Sequence, residues 1–384
     1  MPNTVTGDHY LKEGNALVAE GRYGEARDAY YRALQLGDAT PGVLLTLGGC
    51  CAESGHIEEA VVHTRASLAL APRDPRAHVQ LGILCLLLGH AEPGWTALAH
   101  RRNLIPSPMP PGPPIPEWRG EPLEGRGILL LHEQGLGDVI HTARYVRRIQ
   151  ERGGVAYLDV QDALKRLLVP QFPPGTVLQP GQSARISTFA YILDLPRLMG
   201  DPPQGPPGEA PYLALPDDAP RPELPAVPRG TTRVGIAWAG AAIHPRDLRR
   251  SMKLELLRPL LETPGFQFVS LLDAMRAPAI AQAGLEARVV DMAPRMRDLF
   301  DVAAIIREMD LVLTVDTAVA HLAGALGKPV WMLVCNPPDW RWGRHGETTA
   351  WYPTMRIFRQ ERPDDWAPVL ARVTAELLEL SRVR

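Results

Sequence analysis

Apolar positions in the first hundred residues recur three and four apart, as in Leu11, Leu17 and Val18 and then Ala26, Ala29, Tyr30, Ala33 and Leu34. That spacing gathers them on one face of amphipathic helices. Aligned with itself at a period of ~34 residues, the segment superimposes Gly14 on Gly48 and Gly82, and Gly21 on Gly55 and Gly89. The same offset stacks Tyr23, Ile57 and Ala91 in the turn, and Ala26, Ala60 and Gly94 where two helices must approach. Each unit therefore reads as helix, turn, helix. Further along the pattern changes. Apolar runs such as Ile128 to Leu131, Val234 to Gly240, Gln267 to Leu272, Leu311 to Val315 and Lys328 to Val334 alternate with helical periods, the signature of buried parallel strands in α/β units.

A helical hairpin of ~34 residues is the tetratricopeptide repeat (TPR), and about three are the minimum for a stable stack. Residues 1–105 are expected to form three TPR hairpins serving as a recognition platform. The third, with Pro93, Gly94 and the apolar run Leu84 to Leu88, is expected to end the array docked against the next domain; completion by a second subunit, a homo-oligomer, is the alternative. The 39 prolines are roughly twice the usual ~5% and concentrate in two tracts. Residues 106–117 read as an extended linker, and a stretch from about 201 to 228 reads as a hinge. These divide the α/β part into a unit over 118–228 and a second over 229–384, the latter ending in an amphipathic helix from about Trp366 to Val383 expected to brace the first unit.

A formal net charge of -2 without a basic run argues against nucleic acid or an acidic membrane surface as partner. No segment reaches the ~18 to 20 apolar residues of a membrane span, and Met1 to Thr4 carry neither a basic nor an apolar stretch, so a cytoplasmic location is expected. Cys50, Cys51, Cys85 and Cys335 show no metal-ligand spacing and read as buried thiols.

Two strand-to-helix turns carry candidate chemistry. After Leu131 come Glu133, Gln134, Gly135, Gly137 and Asp138, leading into an expected helix from Val139 to Arg152. A glycine turn brings backbone amides and a helix start to the mouth of a sheet, where Asp138 serves either as a cap or as a proton acceptor. After Val315 come Asp316, Thr317, Ala318, Val319 and His321. The amides of Thr317, Ala318 and Val319 would point out of a helix N-terminus, a natural diphosphate site, with Arg249 and Arg250 supplying balancing charge. His321 and His141 fit either the cleft or the core. Trp340 and Trp342 fit either stacking on a base or sugar or plain packing, and Glu133 and Gln134 either acceptor contacts or loop surface.

Gly137, Asp138, His141 and Thr142, together with Val315 through Ala323, resemble the paired signatures of the heptosyltransferase-like (family 9-like) glycosyltransferases that build lipopolysaccharide cores. With repeats in front and Pro338 to Trp342 and Trp351 to Arg356 behind, the whole chain resembles bacterial TPR-containing glycosyltransferases, some of which modify flagellin and hold the protein acceptor on the repeats. The resemblance implies an α plus α/β chain: TPR hairpins followed by a GT-B fold, two Rossmann-like domains facing across a cleft with acceptor on the first and nucleotide sugar on the second. It implies Asp138 as general base, the Asp316 to His321 turn as the diphosphate and nucleoside site, and Arg250, with Arg249 as runner-up, neutralising the leaving phosphate where family enzymes carry lysine. No Asp-x-Asp triplet occurs in the chain, so no metal is expected; the resemblance implies an inverting transfer without cofactor, the nucleotide-diphosphate sugar being a substrate. A saccharide acceptor of the cell envelope, or a TPR scaffold with a non-catalytic GT-B domain, are the alternatives.

Overall fold

The computed structural model describes residues 6–104, 114–206, 210–244 and 246–382. The N-terminal helices are α1 (Gly7–Ala19), α2 (Tyr23–Gln35), α3 (Pro41–Glu53), α4 (Ile57–Leu70), α5 (Pro75–Leu87) and α6 (Ala91–Leu98). They pack as three successive hairpins, as the repeat predicts. Each glycine class has its physical reason. Gly21, Gly55 and Gly89 end the first helix of each hairpin at φ of 76°, 89° and 83°, a left-handed conformation that side chains rarely adopt. Gly14, Gly48 and Gly82 lie where the paired helix crosses: a Cβ there would stand 3.0 Å from the Tyr30 ring, 2.7 Å from Thr64 Oγ1 and 2.5 Å from the Leu98 backbone nitrogen.

One substitution consequently has opposite signs at two helical glycines. Gly82→Ala drives a methyl group into backbone and is expected to cost about 1–3 kcal/mol, exceeding the ~1 kcal/mol gained from helix propensity. Gly24 in α2 has open space around it, so Gly24→Ala is expected to stabilise by about 0.4–1 kcal/mol. Denaturant midpoints of the two variants decide this; a Gly82→Ala protein as stable as the parent contradicts the close crossing.

The first α/β lobe comprises β1 (Gly127–Leu131), α7 (Leu136–Thr142), α8 (Arg144–Glu151), β2 (Val155–Leu158), α9 (Asp162–Leu168), β3 (Thr188–Tyr191) and α10 (Leu195–Met199). Its sheet is a short parallel one in the order β2-β1-β3. The single helix expected over 139–152 is two, parted at Ala143. At the break Thr142 Oγ1 donates back to the carbonyl oxygen of Asp138 at 2.7 Å.

The second lobe comprises β4 (Thr232–Ala237), α11 (Asp247–Arg250), α12 (Arg258–Leu261), β5 (Phe266–Ser270), α13 (Pro278–Gln282), β6 (Val289–Val290), α14 (Leu299–Arg307), β7 (Leu311–Val315), α15 (Ala318–Ala325), β8 (Val330–Val334), β9 (Met355–Arg359) and α16 (Ala367–Arg382). All its ladders are parallel, in the order β6-β5-β4-β7-β8-β9. Numbered within the lobe this is 3-2-1-4-5-6, the doubly wound order whose ligand crevice opens where strand order reverses, beyond the carboxyl ends of β4 and β7. The final helix departs from expectation. Its buried face of Val369, Leu370, Val373 and Leu377 packs on α12, β9 and the 254–257 turn of its own lobe, which supplies the apolar partner that crossing to the first lobe would otherwise provide.

Most of the 106–117 linker lies outside the described residues, as do residues 207–209 of the expected hinge. The described part of the hinge is anchored: Tyr212 and Leu213 are buried, their amides donate to the Ala325 carbonyl oxygen, and the Tyr212 hydroxyl donates to the Ile140 carbonyl oxygen at 2.9 Å. One apolar cluster runs from Ala26 and Tyr30 of the repeats through Trp95 into both lobes. The array thus sits directly on the two α/β lobes, and polar contacts reinforce it. Arg101 forms a two-pronged bond with Glu133 at 2.8 Å and pairs with Asp194 at 3.1 Å, reaching the first lobe. Glu53 at the end of α3 pairs with Arg246 at 2.9 Å, and Glu58 with Arg344 at 2.6 Å, reaching the second.

Candidate active site

Two helix starts meet where the lobes touch. α7 and α15 pack against each other, so closely that a Cβ on Gly137 would lie 3.0 Å from the His321 ring and 3.4 Å from the Ala318 Cα. Gly137 is therefore a close-approach glycine between lobes. Gln134 and Gly135 are exposed at the rim, and the Gln134 carbonyl oxygen accepts from Gln161 at 2.9 Å.

Asp138 sits in the first turn of α7, where it caps the helix and reaches the other lobe. Its Oδ2 accepts the Gly135 amide at 2.9 Å, as a cap; its Oδ1 faces the second lobe and accepts from Arg341 at 2.6 Å. The side chain is 18% exposed. Burial raises its pKa above the ordinary carboxylate value, Arg341 opposes that rise, and Asp339 adds to it.

Across the contact, β7 delivers Asp316 and Thr317 to the start of α15. Thr317 is the N-cap, accepting the Val319 amide at 3.2 Å, as a threonine before an apolar helix should. Arg250 donates to the Asp316 carbonyl oxygen at 3.0 Å. Its guanidinium lies against Gly240, where a Cβ would come within 2.5 Å; the glycine after the β4 strand leaves that space. Burial pushes the Asp316 carboxyl up to about 6. His321 is buried, its pKa pushed down to about 3 by burial and then by Arg341. Its Nδ1 shares a hydrogen bond with the Tyr352 hydroxyl at 2.9 Å, and its ring stacks on Trp342 at 5.2 Å. His141 faces the same hydroxyl at 3.4 Å and is buried. Both histidines are thus neutral members of a polar seam between lobes. Arg144 of the first lobe completes the seam, lying over the rings of Tyr212, Trp351 and Tyr352.

Three expected site residues belong elsewhere. Glu133 has no exposed side-chain surface; its carboxylate is consumed by Arg101 and the Leu193 amide, so it joins array to lobe and cannot touch an acceptor. Arg249 lies over the Tyr23 ring at 4.5 Å and donates to the Glu53 carbonyl oxygen at 3.2 Å and to Asp364. Neighbours on a one-turn helix point about 100° apart, which sends Arg250 into the crevice and Arg249 to the repeats. Trp340 packs edge-on against Trp95 of α6 at 5.1 Å, buried and unable to stack on a base. Sequence reasoning missed Arg341, which bridges Asp138 and Asp339; its signal was an arginine set between two tryptophans after an aspartate.

Repeats on a two-lobe α/β body, with a carboxylate of one lobe facing a helix start of the other, define a TPR protein of GT-B type. Residues 273–375 match the model of glycosyltransferase family 9 (heptosyltransferase), and residues 17–81 match the tetratricopeptide repeat. Protein FlbA of Caulobacter vibrioides is 30% identical over 362 residues, an alignment taking in 85% of this chain and 59% of FlbA, so the chain spans somewhat over half of that relative. Among solved structures, E. coli ADP-heptose lps heptosyltransferase II is similar at 14% identity and a TM-score of 0.41, over 67% of this chain and 100% of that one. The iron-containing dodecameric glycosyltransferase TibC of enterotoxigenic E. coli is similar at 14% identity and a TM-score of 0.44, over 67% and 75%.

Proposed function

We propose that this chain is an inverting, metal-independent glycosyltransferase that moves a sugar from a nucleotide-diphosphate donor to an acceptor hydroxyl, the acceptor being a protein, flagellin-like, held by the TPR array. The observation that carries the reading is the facing of Asp138 and the α15 start across the lobe contact, with Arg250 beside Asp316. The acceptor oxygen attacks the anomeric carbon from the side opposite the diphosphate, and Asp138 takes its proton. The bond from sugar to diphosphate breaks with its electron pair going to the phosphate oxygen, where the amides opening α15 and the Arg250 guanidinium stabilise the charge. These groups do without a metal what a metal does in enzymes built on paired aspartates. The repeats supply the acceptor side because they are fixed to both lobes. We assign residues 1–105 to the platform, 118–228 to the acceptor lobe and 229–384 to the donor lobe.

The scaffold reading draws on the closed contact of Gly137 with Ala318. Thermal midpoints against a panel of nucleoside diphosphates and their sugars separate the two. Ligand at a hundred times its Kd is expected to stabilise the native state by about 2.7 kcal/mol, for one nucleotide family, and the gain is expected to vanish in an Arg250→Ala, Thr317→Val double variant. No shift with any nucleotide leaves the scaffold.

A further inference from the structure

The Asp138 to Arg341 pair spans the cleft and occupies the oxygen a base would present to an acceptor. Asp138 rides on α7 of the first lobe; Arg341 rides on the turn Trp340–Trp342 of the second. Arg341 is 8% exposed, with one terminal nitrogen 2.6 Å from Asp138 Oδ1 and the other 2.9 Å from Asp339 Oδ1. Its Nε is buried without a hydrogen-bond partner among the described residues, so the guanidinium has donor capacity left over. The same turn places Trp342 on the His321 ring of α15 at 5.2 Å, beside the helix start that Arg250 approaches through the Asp316 carbonyl. Two arginines converge on the proposed diphosphate site, and one of them is held by the proposed base.

Resting on the function proposed above, we infer that Arg341 is exchanged between Asp138 and the donor: in the empty protein it clasps the carboxylate, and an arriving diphosphate draws it away, so that the donor frees the base. A diphosphate offers the guanidinium fork more charge and more acceptor oxygens than one carboxylate does. Once released, Asp138 keeps Asp339 as its facing charge and the Gly135 amide as its donor, and so becomes a stronger base. The acceptor is then deprotonated only when the sugar is in place.

A thermodynamic cycle on the full-length protein tests this. Binding of the nucleoside diphosphate selected by the panel, and of the matching nucleoside, is measured by calorimetry for the parent, Arg341→Gln, Asp138→Asn and the double variant. Asp138→Asn removes the competitor for Arg341 and is expected to tighten the diphosphate about five- to tenfold, within the usual range of coupling between sites, leaving the nucleoside unchanged. Arg341→Gln is expected to weaken the diphosphate by about tenfold or more, the ~1.4 kcal/mol or greater scale of a lost charged contact, and in its background Asp138→Asn no longer tightens binding. The acid limb of kcat/KM is expected to move to higher pH in Arg341→Gln, because the cation that lowers the Asp138 pKa is gone. Tightening of equal size in both backgrounds, or in neither, overturns the exchange. Should Arg341→Gln not fold, Arg341→Lys replaces it; a lysine lacks the fork that spans both aspartates, and the coupling is expected to shrink. A parent protein that binds no nucleoside diphosphate removes the transferase reading itself, whereas binding without coupling removes only the exchange.

Discussion

Asp138→Asn is expected to lower sugar transfer by about 10²–10⁴-fold, the usual weight of a positioned general base, while the donor still binds. The substitution keeps the side-chain shape and leaves one oxygen to accept the Gly135 amide that caps α7, so the helix start survives. What is lost is the group able to take the acceptor proton. Two other carboxylates are committed elsewhere: Asp339 is turned to Arg341 and to the Arg341 amide, and Glu133 is sealed against the array. Initial rates of transfer, with donor affinity measured beside them, check this. Retained turnover with normal donor affinity removes Asp138 from the mechanism, and lost donor affinity makes it a structural residue of the cleft.

Arg101→Ala carries the largest expected cost in stability. The guanidinium is 5% exposed, and its partners Glu133 and Asp194 are 0% and 2% exposed. Removing the cation leaves buried carboxylates short of charge, which costs about 3–5 kcal/mol, whereas exchanging a whole buried pair for apolar residues is often nearly neutral. A variant with Arg101→Met and Glu133→Leu together is therefore expected to recover much of the loss. The pH dependence stems from burial, which already raises the Glu133 pKa despite Arg101. Without Arg101 that pKa rises further, the native state binds more protons than the unfolded chain, and stability increases as pH falls. The deficit of Arg101→Ala against the parent is thus expected to shrink toward acid pH. Unfolding midpoints across pH values test both statements; a deficit that grows on acidification, or none at all, contradicts the buried network.

The sequence exposes what is local and leaves unread what is made by distant partners. Glycines at a fixed period betray the repeats because each answers a constraint inside one hairpin, a left-handed turn or a helix crossing. β1, β4, β7 and β8 are legible as apolar runs because strands covered on both faces leave no place for polar side chains. Thr317 is legible as a cap from the apolar helix after it. Glu133 is not: its partner Arg101 lies on the far side of the proline tract, and a Glu-Gln pair in a glycine loop looks like surface. Arg249 and Arg250 are equivalent in any pattern and separated only by which side of α11 meets the repeats. Arg341 hides because tryptophans on either side invite an aromatic reading of the segment, although only Trp342 lines the seam and Trp340 faces Trp95. β5 begins one residue and ends two residues before its apolar run, at Phe266 and Ser270, since strand pairing and not hydropathy sets its ends.

The seating of the repeats on both lobes has a consequence for selectivity. A module on a loose tether presents its cargo as a cloud of effective concentration, and every reachable group competes. Here Arg101, Trp95, Glu53 and Glu58 bolt the solenoid to the α/β body at several points, so cargo held on it would be offered at a set distance and angle. Such a device measures. It would choose hydroxyls by their spacing from the gripped segment more than by the residues around them, and lengthening the acceptor between grip and target should move the modified position along its chain.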